Sequence, residues 1–437
     1  PAQGFSRGFS FPSLLYFMCR SKESTAVIER PNVSRSPRSA TSPSGARRAS
    51  RRQPSAGEPS SSSSVSVPEY DSTSSSKNRD WSLWSSFTTQ ATLSLSTLKK
   101  SLADNAHAYE FSEICSATGN LRDKRFASSS SWRCRLREKE VVVFQRAFRR
   151  PIGMPELQQR LAAICRSHHT SLAKLLGASI SGNYIYLVYD YIPGASLAEC
   201  LRNPRNPNYT VLSSWLSRMQ IAADLAHGLD YIHNSIGLDI KFVHNHITSA
   251  NVILTEPSLN AKICHFGTAA LCGEIAEEDR KSKGVLSRSG SGVVRIEGTR
   301  GYMAPELQAT GMADQRTDVY AFGVVILELL SGSEPISYRE DESTGGYETE
   351  SVVAGARAAA EGGRVRMWAD RRLRDSFPVE VAANMTRVGL ECADPDPRKR
   401  PDMNRVAGIV SRLYLESKDW SERMGVAADF SVSLAPR

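Results

Sequence analysis

Long apolar runs are absent from this 437-residue chain. The two longest apolar patches, Ile221 to Ile232 and Val319 to Leu330, are interrupted by Asp, His or Glu. Both fall short of the ~18 to 20 residues that a membrane helix needs, so they read as core helices and no membrane span is expected. Paired cysteines are missing too: the eight cysteines are scattered, with no C-x-x-C spacing. That excludes a regular disulfide framework, and reduced thiols in a cytoplasmic setting are the expectation. Glycine is missing between Leu121 and Arg150, which excludes a glycine-rich phosphate-cradling loop at that place. Acidic residues are in mild deficit, 46 against 55 basic ones, for a net charge of +9. Much of the excess lies in the N-terminal region, so it says little about the folded part, and no nucleic-acid partner is expected.

What is present is an ordinary globular composition, 40% hydrophobic and 23% charged, in a chain long enough for a two-lobed domain with tails. Residues 28–80 are rich in Ser, Pro and Arg and poor in large apolar side chains. Such a segment cannot bury enough surface to offset its chain entropy, and residues 1–105 are expected to be a disordered tail. Met18 reads as a candidate start. Cys19 beside Arg20 and Lys22 is a candidate lipidation site, and the basic cluster at residues 45–52 a candidate membrane-surface patch. The bland alternative for both is a solvated tail. Trp81 and Trp84 suggest a small docking element.

Two short motifs lie about twenty residues apart. The first is His244-Asn245-His246-Ile247-Thr248-Ser249-Ala250-Asn251, followed by the strand-like Val252-Ile253-Leu254. The second is His265-Phe266-Gly267, preceded by Ala261-Lys262-Ile263. Downstream come Gly298-Thr299-Arg300-Gly301-Tyr302-Met303-Ala304-Pro305-Glu306, the helix-like Asp318 to Gly332, and Asp396-Pro397-Arg398-Lys399-Arg400-Pro401. Upstream, Tyr184 to Tyr191 alternates as a strand, and Glu140 to Gln145 is rich in β-formers.

In order and spacing these segments resemble eukaryotic protein kinases, whose catalytic loop reads H-R-D-L-x-x-x-N and whose metal-binding motif reads D-F-G. The downstream segments and the entry segment Phe111 to Asn120 are closest to plant receptor-like cytoplasmic kinases, nearest the LysM-receptor branch. The resemblance covers residues 109–415. It implies an α+β, two-lobed fold, with a small β-rich lobe at 106–191, a mainly helical lobe at 192–415 and a C-terminal tail at 416–437. It also implies structural roles for His244, Phe266 and Gly267, a clamp between Glu306 and Arg400, and a contact of Asp318 with the catalytic-loop backbone. Tyr189, Asp190 and Tyr191 fall at the hinge of the nucleotide pocket.

At the chemical positions the chain departs from the family. His246 stands where the family has its catalytic aspartate, and His265 where it has its metal-binding aspartate. Asn245 replaces the arginine that senses a phosphorylated loop. Phe144 or Gln145, depending on register, takes the place of the phosphate-binding lysine. Arg160 takes the place of that lysine's glutamate partner, with Glu156 one helical turn earlier. Thr248 and Asn251 complete the loop. Phosphoryl transfer depends on placed charge, and these substitutions remove it, so the expectation is a pseudokinase that binds rather than catalyses. No cofactor is expected, with ATP and magnesium binding in doubt. The expected partners are active receptor-like kinases or other signalling proteins at or near the plasma membrane. Two alternatives stay open: a weak Ser/Thr kinase whose cation comes from Arg133, Arg135 or Lys139, and a zinc site formed by His244, His246, His265 and Cys264.

Overall fold

A computed structural model describes residues 107–123, 126, 130–150, 152–209, 211–235, 242–275, 298–341, 346–374 and 376–425. Met18, Cys19, the basic cluster at 45–52, Trp81 and Trp84 lie outside the described residues.

The N-terminal lobe is a five-stranded sheet. Its strands are β1 His107–Ala108, β2 Ser131–Leu136, β3 Lys139–Ala147, β4 Leu175–Ser181 and β5 Tyr184–Asp190, in the order β1-β4-β5-β3-β2. Period-two alternation assigns the two faces. Tyr186 and Val188 of β5 join Val141 and Val143 of β3 under the short helix α1 Phe111–Ala117, around Ile114. Leu187 and Tyr189, with Leu175, face the opposite side, where α2 Met154–Arg166 packs Leu157, Leu161 and Ile164 against them. Arg137 and Glu138 turn β2 into β3 with φ of 47° and 67°, the two left-handed residues of a tight hairpin. Arg137 also pairs with Glu113 at 3.0 Å and lies over the Tyr109 ring at 4.8 Å, which ties α1 to the sheet. A Cβ on Gly177 would fall 1.8 Å from the His107 carbonyl oxygen; only glycine lets β1 pair there.

The hinge leads into the helical lobe through β6 Gly194–Ser196 and α3 Leu197–Arg202. The central helix α4 Trp215–Asn234 buries Trp215, Ile221, Leu225, Leu229 and Ile232. β7 Val252–Thr255 and β8 Ala261–Ile263 join β6 in a three-stranded sheet that carries the two histidine motifs at its ends. A short helix, α5 Thr268–Cys272, follows, and α6 Pro305–Thr310 comes next among the described residues. Helix α7 Gln315–Ser331 is buried on nearly every side from Thr317 to Leu330. A reciprocal Asp314–Thr317 capping box starts it, and Gly332 ends it in the left-handed region at φ 71°.

The hairpin β9 Ile336–Asp341 and β10 Gly346–Ser351 precedes α8 Val352–Glu361, α9 Val365–Trp368, α10 Val379–Cys392 and α11 Met403–Met424. The boundary expected at 415 falls inside α11. The helix runs on because Ser417 and Ser421 are buried and the Trp215 indole N–H donates to Ser417 Oγ at 2.9 Å. Among the described residues, no helix is long and apolar enough to cross a membrane.

Candidate functional site

The loop between α4 and β7 is held by Asp318 of α7. Its carboxylate accepts the backbone N–H groups of His244 and Asn245, each at 2.7 Å. Asp318 is buried, and two charge-assisted bonds of this kind offset the cost of its charge. His244 is buried as well. Its Nδ1 accepts the His246 N–H at 3.2 Å, so its Nε2 carries the proton and donates to the Cys264 carbonyl at 2.9 Å. Burial brings its pKa down to about 4. A second anchor is Glu328, whose carboxylate accepts from Ser249 Oγ at 2.9 Å, Tyr302 OH at 2.6 Å and Arg202 at 2.7 Å. At the far end, Arg400 donates to both oxygens of Glu306, at 2.5 and 2.8 Å. Phe266 is buried beneath the cleft, and its carbonyl accepts the Tyr189 hydroxyl at 2.8 Å. Gly267 has φ 85°, and a Cβ there would lie 2.7 Å from Ile164 of α2.

The chemical positions are filled differently. On β3 the pairing with β5 sets the register: Phe144 lies opposite Leu187 and Gln145 opposite Tyr186. Gln145 donates to the Tyr186 hydroxyl at 3.2 Å on the outer face. Phe144 faces the cleft, its ring centroid 4.5 Å from the His265 ring and 5.8 Å from the Tyr189 ring, both edge-on. Arg160 is buried in α2. It donates to the Ala270 carbonyl of α5 at 2.8 Å and pairs with Glu156 of its own helix. The sequence comparison put Arg160 where a cleft-facing acid is expected; in the structure it fastens the helix to the segment after His265.

His265 is 5% exposed and adopts φ 63°. Its Nδ1 is buried with no hydrogen-bond partner. Burial, with Arg146 and the two neighbouring histidines, pushes its pKa well below the ordinary histidine value, so this imidazole is neutral. His246 lies 6.2 Å from it, ring to ring, and its Nε2 meets Glu274 Oε2 at 2.8 Å. Burial alone would raise the Glu274 pKa, but the His246 charge and hydrogen bond, Arg146 and Asn245 hold it at about 2. The Asn245 amide reaches the same carboxylate at 3.5 Å. Thr248 Oγ1 caps the turn Ser249–Asn251 by accepting the Asn251 N–H at 3.2 Å. The Asn251 side-chain amide donates to the His246 carbonyl at 2.9 Å.

Between the lobes, Phe126, Val142, Phe144, Ala173, Ile192 and His265 close around a cavity of ≈ 30 Å³. That holds about two water molecules, against the several hundred Å³ of an ordinary ligand pocket. Asp190 belongs to the same wall. At the mouth, the Arg133 guanidinium stacks on Tyr191 at 3.8 Å and pairs with Glu140 at 2.6 Å. Arg133 is thereby committed, and Arg135 and Lys139 are exposed. Among the described residues, no group of three or more His, Cys, Asp and Glu side chains is arranged to hold a metal ion. Both ring nitrogens of His244 and the Nε2 of His246 are taken up in hydrogen bonds within the protein.

Two residues of the cleft escaped the sequence argument. Arg146 lies two residues beyond Phe144 on β3, hence on the same face, and its charge acts on His265 and Glu274. The strand period carries that signal. Glu274 follows α5 in no recognisable pattern, and only the fold brings it to His246.

A sequence model for protein tyrosine and serine/threonine kinases matches residues 137–410. The chain is 29% identical over 323 residues to LysM domain receptor-like kinase 3 of Arabidopsis thaliana, covering 71% of this chain and 47% of that protein. It is 28% identical over 364 residues to protein LYK5 of the same plant, covering 81% and 51% respectively. The chain thus spans about half the length of these curated relatives. Among solved structures, the pseudokinase domain of BIR2, an immune regulator of the RLK/Pelle family, superposes with a TM-score of 0.53 at 22% identity, covering 72% of this chain and 89% of that one. At that identity the likeness concerns the fold alone. With more than half of its residues matched, and with a β-rich lobe and a helical lobe joined at a hinge, the chain belongs to the protein tyrosine and serine/threonine kinase family.

Proposed function

We propose that this chain is a pseudokinase: a kinase-fold signalling protein that acts by binding, as a scaffold or allosteric partner of active receptor-like kinases, and that transfers no phosphate. The observation that carries the reading is the pairing of Phe144 with His265 across the cleft at 4.5 Å. An aromatic ring sits where the family places the phosphate-binding lysine, and it packs on a neutral imidazole where the family places a metal-binding carboxylate. Magnesium takes hard oxygen ligands in a near-octahedral set. The donor set here does not fit it: a buried imidazole stands at His265, and Asn251, whose side-chain N–H donates to the His246 carbonyl, offers a single amide oxygen where the ion needs several hard oxygen ligands. No step is therefore derived through a metal–nucleotide complex. Each preorganised charge of this kind contributes a few kcal/mol, so losing several together lowers transfer by many decades.

The kinship with plant receptor kinases supports partners among such kinases, on the cytoplasmic side of the plasma membrane, with Cys19 and the basic tail as the proposed membrane contact. A second reading, a weak Ser/Thr kinase with a relocated cation, draws on Arg146, which shares the cleft face of β3. Purified full-length chain is to be incubated with radiolabelled ATP and magnesium or manganese, beside thermal melting with ATP in the presence and absence of metal. No incorporation and no metal-dependent shift is expected. Incorporation that disappears in His246→Ala would refute the proposal and establish the second reading.

A further inference from the structure

The stretch Arg364 to Asp375 holds five arginines, two aspartates and no lysine. Residues 364–374 fold as α9 and the 3₁₀ turn Arg371–Leu373, with Val365 and Leu373 buried in the core. Asp370 is turned inward, paired with the buried Arg218 at 2.6 Å and with Arg372 at 2.5 Å. Arg372 is further engaged over the Tyr209 ring at 4.2 Å. Arg364, Arg371 and Arg374 are exposed. Among them sits Met367, 81% exposed, the most exposed large apolar side chain of the described residues.

We propose that this surface docks an acidic, Asp/Glu-rich segment of a partner protein, with Met367 meeting an apolar residue within that segment. Three features select this occupant. The exposed cations are all arginine, whose planar fork matches a carboxylate in two-pronged fashion. Arginine and methionine are enriched in protein interfaces, whereas lysine is depleted. The arginines are also distributed over two helical turns, which suits a run of carboxylates better than one phosphate. An anionic membrane would be served by lysines equally well and would call for several apolar side chains, where this surface offers one. The surface is remote in sequence from the cleft residues, and the proposal holds whether or not the cleft transfers phosphate.

The test uses the full-length chain and a short fluorescein-labelled peptide of Glu, Asp and Leu, read by fluorescence anisotropy. A peptide with Gln and Asn in place of the acids serves as control, and phosphatidylcholine vesicles containing phosphatidylserine are tested by sedimentation. The triple variant Arg364→Glu, Arg371→Glu, Arg374→Glu is expected to weaken peptide binding at least about tenfold, and Met367→Ala about threefold. Lys399→Glu with Arg405→Glu, exposed cations elsewhere on the helical lobe, should change it less than about twofold. All these side chains are exposed, so melting temperatures should stay near that of the parent chain. Equal loss in the Lys399/Arg405 variant would reduce the effect to net charge and overturn the proposal. So would vesicle binding that the triple variant abolishes while peptide binding is unchanged, or no peptide binding by the parent chain.

Discussion

Replacing Phe144 by alanine probes whether the cleft is closed by packing. A fully buried Phe→Ala change costs about 3–5 kcal/mol. Phe144 is only half-buried, but it loses two edge-on ring contacts, to His265 at 4.5 Å and to Tyr189 at 5.8 Å, each worth about 0.5–1.5 kcal/mol beyond its area. Together these place the loss at about 2–3 kcal/mol. For a domain of this size that lowers the melting temperature by about 4–8 °C. The void left behind adjoins the ≈ 30 Å³ cavity that Phe144 itself lines. The variant should therefore gain an adenosine-dependent thermal upshift that needs no magnesium and that the parent chain lacks. Differential scanning fluorimetry with and without adenosine reads both effects. A melting temperature unchanged within about 1 °C would show that the ring does not pack as described. An adenosine shift already present in the parent would show that the cleft is open, and either result refutes the reasoning.

Two further expectations concern stability. His244 and His265 are held neutral by burial, whereas in the unfolded chain each takes up a proton as pH falls through about 6.5. The unfolded state then binds more protons, so stability falls on acidification. With His244 at about 4 in the fold, the loss at pH 5 is about 2 kcal/mol from that residue alone, and His265 adds to it. Urea midpoints at pH 7 and pH 5 measure this. His265→Asn, a residue that tolerates positive φ, should flatten the slope, and a slope equal to the parent's would place the proton elsewhere. Glu274, at about 2, stays ionised throughout that window. Separately, Arg400→Met should cost about 3–5 kcal/mol by leaving the Glu306 carboxylate without its partner. Glu306→Gln with Arg400→Met should recover part of that loss in equilibrium unfolding, and a double variant no better than the single one would mean that the pair is not the source.

Much of the scaffold was legible because it is written in contiguous letters. The contacts of Asp318 with the 244–245 backbone and of Glu306 with Arg400 link positions 74 and 94 residues apart. Each partner nonetheless lies in a motif whose role the family resemblance supplies. The lysine position was different. A one-residue slip moves every side chain of a strand to the other face, and the run Val141 to Gln145 is apolar enough to permit either register. Only the pairing with β5 puts Phe144 into the cleft. The continuation of α11 past 415 was not legible either, because the burial of Ser417 depends on the Trp215 indole, 202 residues away.

From its order of residues alone, this chain determined which chemical groups stand at the positions that the family resemblance assigns to catalysis: histidines for two aspartates, an arginine for a glutamate, and no lysine in either β3 register. Identity at a position in a motif needs no coordinates. What those groups do was decided by the tertiary structure, because exposure, distance and charge state arise from packing between segments far apart in the chain. The fold buries His265 without a partner for Nδ1, turns Arg160 onto the Ala270 carbonyl, and delivers Glu274 to His246.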